Sequence, residues 1–577
     1  MGRWIVCSAW PYVNSVPHLG NMIGSVLSAD VYARFLRLMG EEVVFVSGSD
    51  EHGTPIEVEA RKRGIEPRKF TDEVHSYIVK LFKEWDISFD NYTRTESLVH
   101  RSFVKEFFMK IYERGYVFSR KMVLPFCPRE NIFLPDRFVE GVCPYCGYEH
   151  ARGDQCESCG TLLDPTDLID PRCVFCHSRP IFVETVHWFF DLPKVSDELK
   201  RWLEENETLE KHVKEYALSM VRGGLKPRSI TRDNKWGIEA PFPGAEGKTI
   251  YVWFEALLGY LSATLEYFIH TCGNSEEAKR KFEEYWKGKD TKTVFFIGKD
   301  NIPFHAVILP ALLLAAGEGY VLPYKIPATE YLMFEGDKFS KSRGIGVWID
   351  EALKIVPDPD YWRYALIRMR PEERDSNFTW REFVRIVNSE LNDNIGNFIH
   401  RVLSFVYSRF LGRVPSPTKI YDEDLNMLEE VRKLFREYVE LMYEAKLKPA
   451  SDRIVEIAKL GNAFLNRREP WKLIREKPDE AASAMYVLTN VVRGLGLVLA
   501  PITPRAATRL WRMLKLGDEI PRGALRSAFE LVIEPGHELS KPEPLFRKLP
   551  PDFLNKVNEL VAKARREAEA ERPSVLK

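Results

Sequence analysis

The sequence predicts an α/β fold: a parallel sheet split by a cysteine-bearing insertion and followed by an all-α helical bundle. Three observations carry the prediction. Two strand–turn–helix units lie far apart in the chain, paired cysteine spacings crowd the stretch between them, and helical periodicity with few strand candidates takes over from Trp380.

The first unit opens with the apolar run Trp4-Ile-Val-Cys-Ser8 and passes through a Trp-Pro-Tyr turn. It continues as a helical pattern from Leu19 to about Met39, which Gly40 stops. A second apolar run, Val43-Val-Phe-Val46, follows at once, so strand, turn, helix and strand succeed one another in the rhythm of a Rossmann-like unit. The later unit has Thr293-Val-Phe-Phe-Ile297 as strand, Gly298-Lys-Asp-Asn301 as turn and a helix from about Pro303 to Ala316. The insertion between them holds the cysteines from Cys127 to Cys176 and amphipathic stretches around Asp197 to Glu210. Beyond Pro323 comes a mixed stretch with Lys338-Phe-Ser-Lys-Ser342. Helical patterns then run over 383–405, 425–445, 454–465 and 481–499, the makings of a bundle. A charged amphipathic helix over 552–571 ends the pattern, and nothing in the sequence tells where it docks. The expected division is 1–115 and 231–322 for the two halves of the sheet domain, 116–230 for the insertion, 323–380 for the mixed stretch, 381–545 for the bundle and 546–577 for the tail.

Composition narrows the function. Among 577 residues, 83 basic and 84 acidic side chains leave a net charge of -1, so any nucleic-acid contact must use a local patch or a few reading side chains. The longest uncharged apolar stretch, around Ala306 to Ala316, is about half a membrane span and carries Pro310, and the amino terminus lacks a signal pattern. The expectation is a cytoplasmic protein without a membrane partner. In reducing surroundings, Cys-x2-Cys pairs are metal ligands more often than disulfides.

Cys143-x2-Cys146 and Cys156-x2-Cys159 can close a tetrahedron of thiolates around zinc, and a site with no open position is structural. Cys173-x2-Cys176 makes a second pair with Cys127 as third ligand. Glu130 or His177 would supply the fourth, or the second ion is absent. Cys7 and Cys272 read as packing or surface residues.

His18-Leu-Gly-Asn21 stands where the first strand hands over to the first helix, so unpaired N–H groups face outward there and Gly20 lets a base approach the backbone. Taken singly it reads as an ordinary helix start. Lys338-Phe-Ser-Lys-Ser342, flanked by Gly336 and Gly344, puts two ammonium groups three apart in a stretch with little to bury, and singly reads as a solvated basic turn. Together and in this order they are similar to the paired signature of class I aminoacyl-tRNA synthetases. Ser8-Ala-Trp-Pro-Tyr12, Gly48-Ser-Asp-Glu-His-Gly-Thr54, Thr231-Arg-Asp233, Tyr251-Val-Trp-Phe-Glu-Ala256, Phe296-Ile-Gly-Lys-Asp300 and Phe304-His305 narrow the resemblance to methionyl-tRNA synthetases of the archaeal and eukaryotic type.

That resemblance implies a ligase that activates L-methionine with ATP and Mg2+ and transfers it to initiator and elongator tRNA(Met). His18, Asn21, Lys338 and Lys341 are the expected catalytic residues, and Gly20, Asp300 and Met333 would add to the ATP site. Ala9, Trp10, Tyr12, Asp50, Arg232, Trp253, Ala256, Tyr260 and His305 correspond to the methionine site, with Asp50 on the amino group and Arg232 paired to that carboxylate. Trp10 and Asn301 depart from the bacterial pattern, so the rear wall is expected to be built differently. Asn397 and Arg401, four apart on one helix, and Trp471 would read the CAU anticodon. A monomer is the simpler expectation, with room for a separate tRNA-binding protein. The competing readings are a cysteinyl synthetase, which needs an open zinc position that a four-cysteine site lacks, and a non-catalytic zinc-ribbon tRNA-binding protein, against which the two signatures stand.

Overall fold

The computed structural model describes residues 2–135, 138–153, 156, 158–159, 161, 163–340 and 343–577. Its centre is a five-stranded, all-parallel sheet. The strands run in the order Ala328–Thr329, Thr291–Gly298, Arg3–Ser8, Glu42–Ser49, Asn91–Arg94. Strand Arg3–Ser8 is buried from Trp4 onward, as expected of a parallel strand covered on both faces, and that is why it reads as an unbroken apolar run. It pairs with Thr291–Gly298 on one side and Glu42–Ser49 on the other, so the two separated halves meet at the middle of the sheet. In such sheets the crevice lies beyond the carboxyl ends of the strands where the order reverses. Here those ends are Ser8 and Gly298.

Both helices that leave these central strands begin abnormally. After the single turn Leu19–Asn21 comes a π-helical segment, Met22–Val26, before the α-helix Leu27–Leu38; in the second half a π segment, Phe304–Ile308, precedes the α-helix Leu309–Ala316. The expected helices are therefore present, each with one wide turn beside the crevice, a feature common at functional sites. Gly40 ends the first helix with φ 84°, a conformation cheap only for glycine.

The insertion leaves the sheet domain as a long antiparallel ribbon, Val117–Cys127 against Ile181–Phe190, in register from Val117↔Phe190 to Phe126↔Ile181. At its tip sits a small three-stranded sheet of Ala151–Arg152, Val139–Val142 and Ile169–Cys173. The tip's own core comprises Leu134, Val139, Ala151 and Leu168 with four cysteines, too little apolar surface to hold it together unaided. Helices Ser196–Glu205 and Lys211–Arg222 return the chain to the sheet.

The carboxy-terminal part is helical. Helix Pro478–Leu499 is long and apolar enough to cross a membrane, but from Ala481 onward it is buried within the bundle, against helices Asp422–Tyr443 and Leu447–Arg468 among others. One continuous core joins this bundle to a face of the parallel sheet, and the buried pair Arg363–Asp30, 2.6 Å apart, crosses the join. The final helix, Phe553–Glu571, packs on helix Ile349–Ile355. This is the docking site that the sequence leaves open.

Candidate functional site

At the end of strand Arg3–Ser8 the chain turns through Ala9, whose N–H donates to Phe296 O at 3.0 Å, and Trp10. The Trp10 indole lies where glycine leaves room on two sides: a Cβ on Gly48 would come within 2.7 Å of it and one on Gly259 within 2.4 Å. Tyr12 pairs with Asp50 as an isolated parallel bridge, and its hydroxyl donates to His52 O at 2.7 Å. Tyr260 and His305 form the far wall. His305 Nδ1 lies 3.0 Å from Asn301 O and must donate to it, so its Nε2 accepts from the Tyr260 hydroxyl at 2.8 Å. Burial lowers His305 to about 4 and keeps the ring neutral. Trp253 stands at the rim, 43% exposed and 4.5 Å from the Phe304 ring, one helical turn from Ala256. The result is a cluster of aromatic side chains without a charged group of its own, of the kind that suits an apolar, polarizable side chain.

Charge is confined to the floor. Asp50 is deeply placed, and its Oδ1 has no hydrogen-bond partner among the described residues; burial first, then the neighbouring Glu255 carboxylate, push its pKa well up. His52 lies between Glu255 Oε1 at 2.6 Å and Glu96 Oε1 at 2.7 Å, both buried. Burial works against its proton, but the two carboxylates outweigh it and raise the ring to about 10. The Arg232 guanidinium lies over the Tyr251 ring at 3.7 Å and donates to Thr231 O at 2.8 Å and Ser229 O at 3.3 Å.

The second half of the crevice is built on the first helix start. His18 caps it: its Nδ1 accepts from Gly20 N at 3.1 Å and Asn21 N at 3.3 Å, while Asn21 Oδ1 accepts from His18 N at 3.0 Å. An Nδ1 that accepts leaves the proton on Nε2, as a donor. Desolvation lowers His18 to about 4, which keeps this arrangement at neutral pH. Phe339, from the second signature, stacks on the His18 ring at 4.3 Å and 6°. Lys338 is exposed, with Nζ 5.4 Å from the Tyr331 ring; the Tyr331 hydroxyl in turn donates to Asp300 Oδ1 at 2.5 Å. Tyr331 thus joins two expected ATP-site residues, and Met333 follows on the short strand Leu332–Phe334. Lys341 lies outside the described residues.

Far from the crevice, Asn397 and Arg401 share helix Asn397–Arg409. Arg401 donates to Asn462 Oδ1 at 3.2 Å and Asn466 Oδ1 at 2.7 Å on the neighbouring helix. Trp471 is 41% exposed on helix Pro470–Glu476. In the insertion the sulfurs of Cys143, Cys146, Cys156 and Cys159 all lie within 4.8 Å of one another, and so do those of Cys127, Cys173 and Cys176. Around the second group stand three further side chains. Glu130 turns its carboxylate to Arg61 at 3.3 Å and His177 is exposed near Glu140 at 3.6 Å. The Ser178 hydroxyl stands 3.0 Å from Cys176 Sγ and 3.4 Å from Cys127 Sγ.

A family model described as tRNA synthetases class I (M) matches residues 4–403, and one for the anticodon binding domain of methionyl tRNA ligase matches residues 414–565. The chain belongs to the methionyl-tRNA synthetase family. It is 61% identical to the methionine--tRNA ligase of Ignicoccus hospitalis, over 99% of this chain and all of that one. It is 57% identical to that of Aeropyrum pernix over the full length of both. Among solved structures it is similar to Mycobacterium tuberculosis methionyl-tRNA synthetase in complex with methionyl-adenylate, with TM-score 0.78 and 25% identity over 95% of this chain and all of that one.

The structure brings Trp10, Tyr260 and His305 together near Tyr12 and Asp50, and links Lys338 and Asp300 through Tyr331, while Asn397 and Arg401 share one helix and Trp471 lies on another. Sequence reading passes over His52, Glu255, Tyr331, Asn462, Asn466 and Ser178. His52, Glu255 and Ser178 sit inside or beside recognised motifs, a usable signal. The others become visible only when distant segments meet.

Proposed function

We propose that the chain is a cytoplasmic methionine–tRNA ligase that works in two steps. Methionine binds with its side chain between Tyr12, Trp253, Ala256, Tyr260 and His305, and its ammonium group on the unpartnered oxygen of Asp50. That oxygen carries the reading: a buried carboxylate oxygen with a vacant hydrogen-bonding position, lying below aromatic walls, calls for a donor group such as an ammonium. The methionine carboxylate then attacks the α-phosphorus of ATP, forming a carboxyl–phosphate bond and releasing pyrophosphate. It is already ionised at neutral pH, so positioning and charge stabilisation do the work and no general base is required. Mg2+ arriving with ATP supplies charge neutralisation on the phosphates. The His18 Nε2–H, the helix N–H groups, Lys338 and Lys341 stabilise charge on the same oxygens, while Asp300 accepts from the ribose. In the second step a hydroxyl of the terminal tRNA adenosine attacks the adenylate carbonyl and AMP leaves.

Asn397, Arg401 and Trp471 would read the CAU anticodon, the first two through hydrogen bonds to splayed bases and the last by stacking. The insertion would hold zinc as a structural element. Four sulfurs around one ion at the usual Zn–S distance of about 2.3 Å stand roughly 3.8 Å apart, and Cys143–Cys159 and Cys146–Cys156 are at 3.9 and 3.6 Å. Cys127, Cys173 and Cys176 would take a second ion.

The deciding experiment is amino-acid-dependent exchange of labelled pyrophosphate into ATP, with methionine, leucine, isoleucine, valine and cysteine. Exchange with methionine alone, abolished by Lys341→Ala without loss of methionine binding, is the expected result. Exchange with another amino acid would refute the pocket assignment.

A further inference from the structure

The segment 344–351 lies between the second signature and the nucleotide crevice, and the last helix of the chain grips it. Leu19 N donates to Val347 O at 3.1 Å and Ile349 N to Pro17 O at 3.0 Å, so 347–349 runs as a strand against the His18 turn. Ser340 and Ile345 exchange two backbone hydrogen bonds at 2.9 Å, closing the base of the second signature, and Phe339 fits where Gly346 has no Cβ. A displacement of 344–346 would therefore reach both the His18 cap and the Phe339 ring on it.

Two arginines hold this segment from outside, and one of them, Arg565, reaches its start at 344–346. Arg565, on helix Phe553–Glu571, donates Nη1 to Gly344 O at 3.3 Å, Nη2 to Gly346 O at 3.1 Å and Nε to Glu351 Oε1 at 3.2 Å, and lies 5.5 Å from the Trp348 ring. Glu351 is buried, and its other oxygen accepts from Trp348 N at 3.3 Å. Arg572 completes the seat of the helix by donating to Asp350 at 2.7 and 3.0 Å. A planar guanidinium can satisfy two carbonyls and a carboxylate at once, and an ammonium cannot. A surface helix whose only task was to cover apolar area would not need to aim all three nitrogens of one arginine at two carbonyls and a buried carboxylate beside the crevice.

We propose that Arg565 is a positioning residue for the ATP half of the site. By fixing the backbone of 344–346 it sets the register of the two signatures against each other, which makes the carboxy-terminal helix part of the catalytic unit. The inference rests on the crevice being the ATP site. Its test therefore reads ATP affinity directly, by calorimetry without any amino acid, beside the KM values for ATP and methionine in the exchange reaction.

Arg565→Ala should weaken ATP binding and raise its KM by 10-fold or more, leave methionine affinity within twofold, and barely move the melting temperature. Arg565→Lys, which keeps the charge and protects against a folding artefact, should recover less than half of the loss. Lys563→Ala, on the exposed side of the same helix, should change nothing. Unchanged ATP affinity in both Arg565 variants would overturn the proposal, as would an equal loss for ATP and methionine tracking a lowered melting temperature. ATP affinity that falls as expected while methionine supports no exchange would instead refute the functional reading and leave the role of Arg565 standing.

Discussion

The two halves of the crevice, one proposed above for methionine and the other for ATP, are built in opposite ways. The methionine half is enclosed by its own walls: Trp10 is seated between Gly48 and Gly259, Tyr260 and His305 satisfy each other, and His52 binds Glu96 and Glu255 beneath Asp50. The ATP half is open, with Asn21, Asp300 and Lys338 exposed, and its shape depends on segments from far along the chain, Phe339 on His18 and Arg565 behind Gly346. A side chain of four heavy atoms is best recognised by a rigid cavity. A triphosphate that must enter and leave as pyrophosphate is better served by groups that can be rearranged. His305 is buried among fixed neighbours, whereas one face of the His18 ring is covered by Phe339 of the second signature.

The largest expected effect tests the floor. Asp50→Asn removes the charge from a buried position, and losing one partner of such a pair costs about 2–5 kcal/mol. Methionine kcat/KM should fall by roughly 30-fold to several thousand-fold, with ATP affinity within twofold; a comparable fall in ATP affinity would show that the two halves are not separable. Gly259→Ala tests the walls. Its Cβ would meet Trp10 Cζ2 at 2.4 Å, and overpacking of this kind costs about 1–3 kcal/mol. Methionine KM should rise and the melting temperature fall, again sparing ATP, and an unchanged KM would mean Trp10 is not a wall of the pocket.

Trp471→Ala serves as the reference outside both halves. Stacking on an aromatic ring is worth about 1–3 kcal/mol per base, so aminoacylation kcat/KM for tRNA should drop about 5- to 150-fold while pyrophosphate exchange is untouched. A fall in exchange would reveal coupling between the helix face and the crevice.

The same contrast governs what could be read from the sequence. The sheet was legible because its central strands are buried on both faces and so appear as apolar runs, and the bundle because 3.6-residue periodicity survives over long helices. The wide turns at Met22–Val26 and Phe304–Ile308 were not, since apolar spacing over five residues cannot distinguish π from α. Site residues carried by contiguous motifs, such as Asp50 and His18, announced themselves. Glu255 lies within Tyr251-Val-Trp-Phe-Glu-Ala256, yet its partner His52 is 203 residues away, and Arg565 sits in a tail whose charge pattern fits any exposed helix. Beside Cys127, Cys173 and Cys176 the nearest further side chain is the Ser178 hydroxyl, a residue type that zinc spacing rules do not single out.

The finest distinction between the halves is electrostatic. His18 and His305 are both lowered to about 4 by burial. A histidine depressed in the folded state contributes stability that is fully present above its unfolded value, near 6.5, and is lost as pH falls toward 4. His305 is shielded by Tyr260 and the helix after Asn301, but the face of His18 is covered by Phe339. Phe339→Ala should therefore raise the His18 titration midpoint, followed by NMR of its ring protons, from about 4 toward 6.5. The His305 midpoint should stay where it is. Stability near pH 5 should then depend less steeply on pH in the variant, because one depressed group has been released. If both midpoints move, the loop supports the whole crevice and the division into a self-enclosed half and a borrowed one fails. If neither moves, the burial of His18 comes from the helix start and segment 347–349 alone.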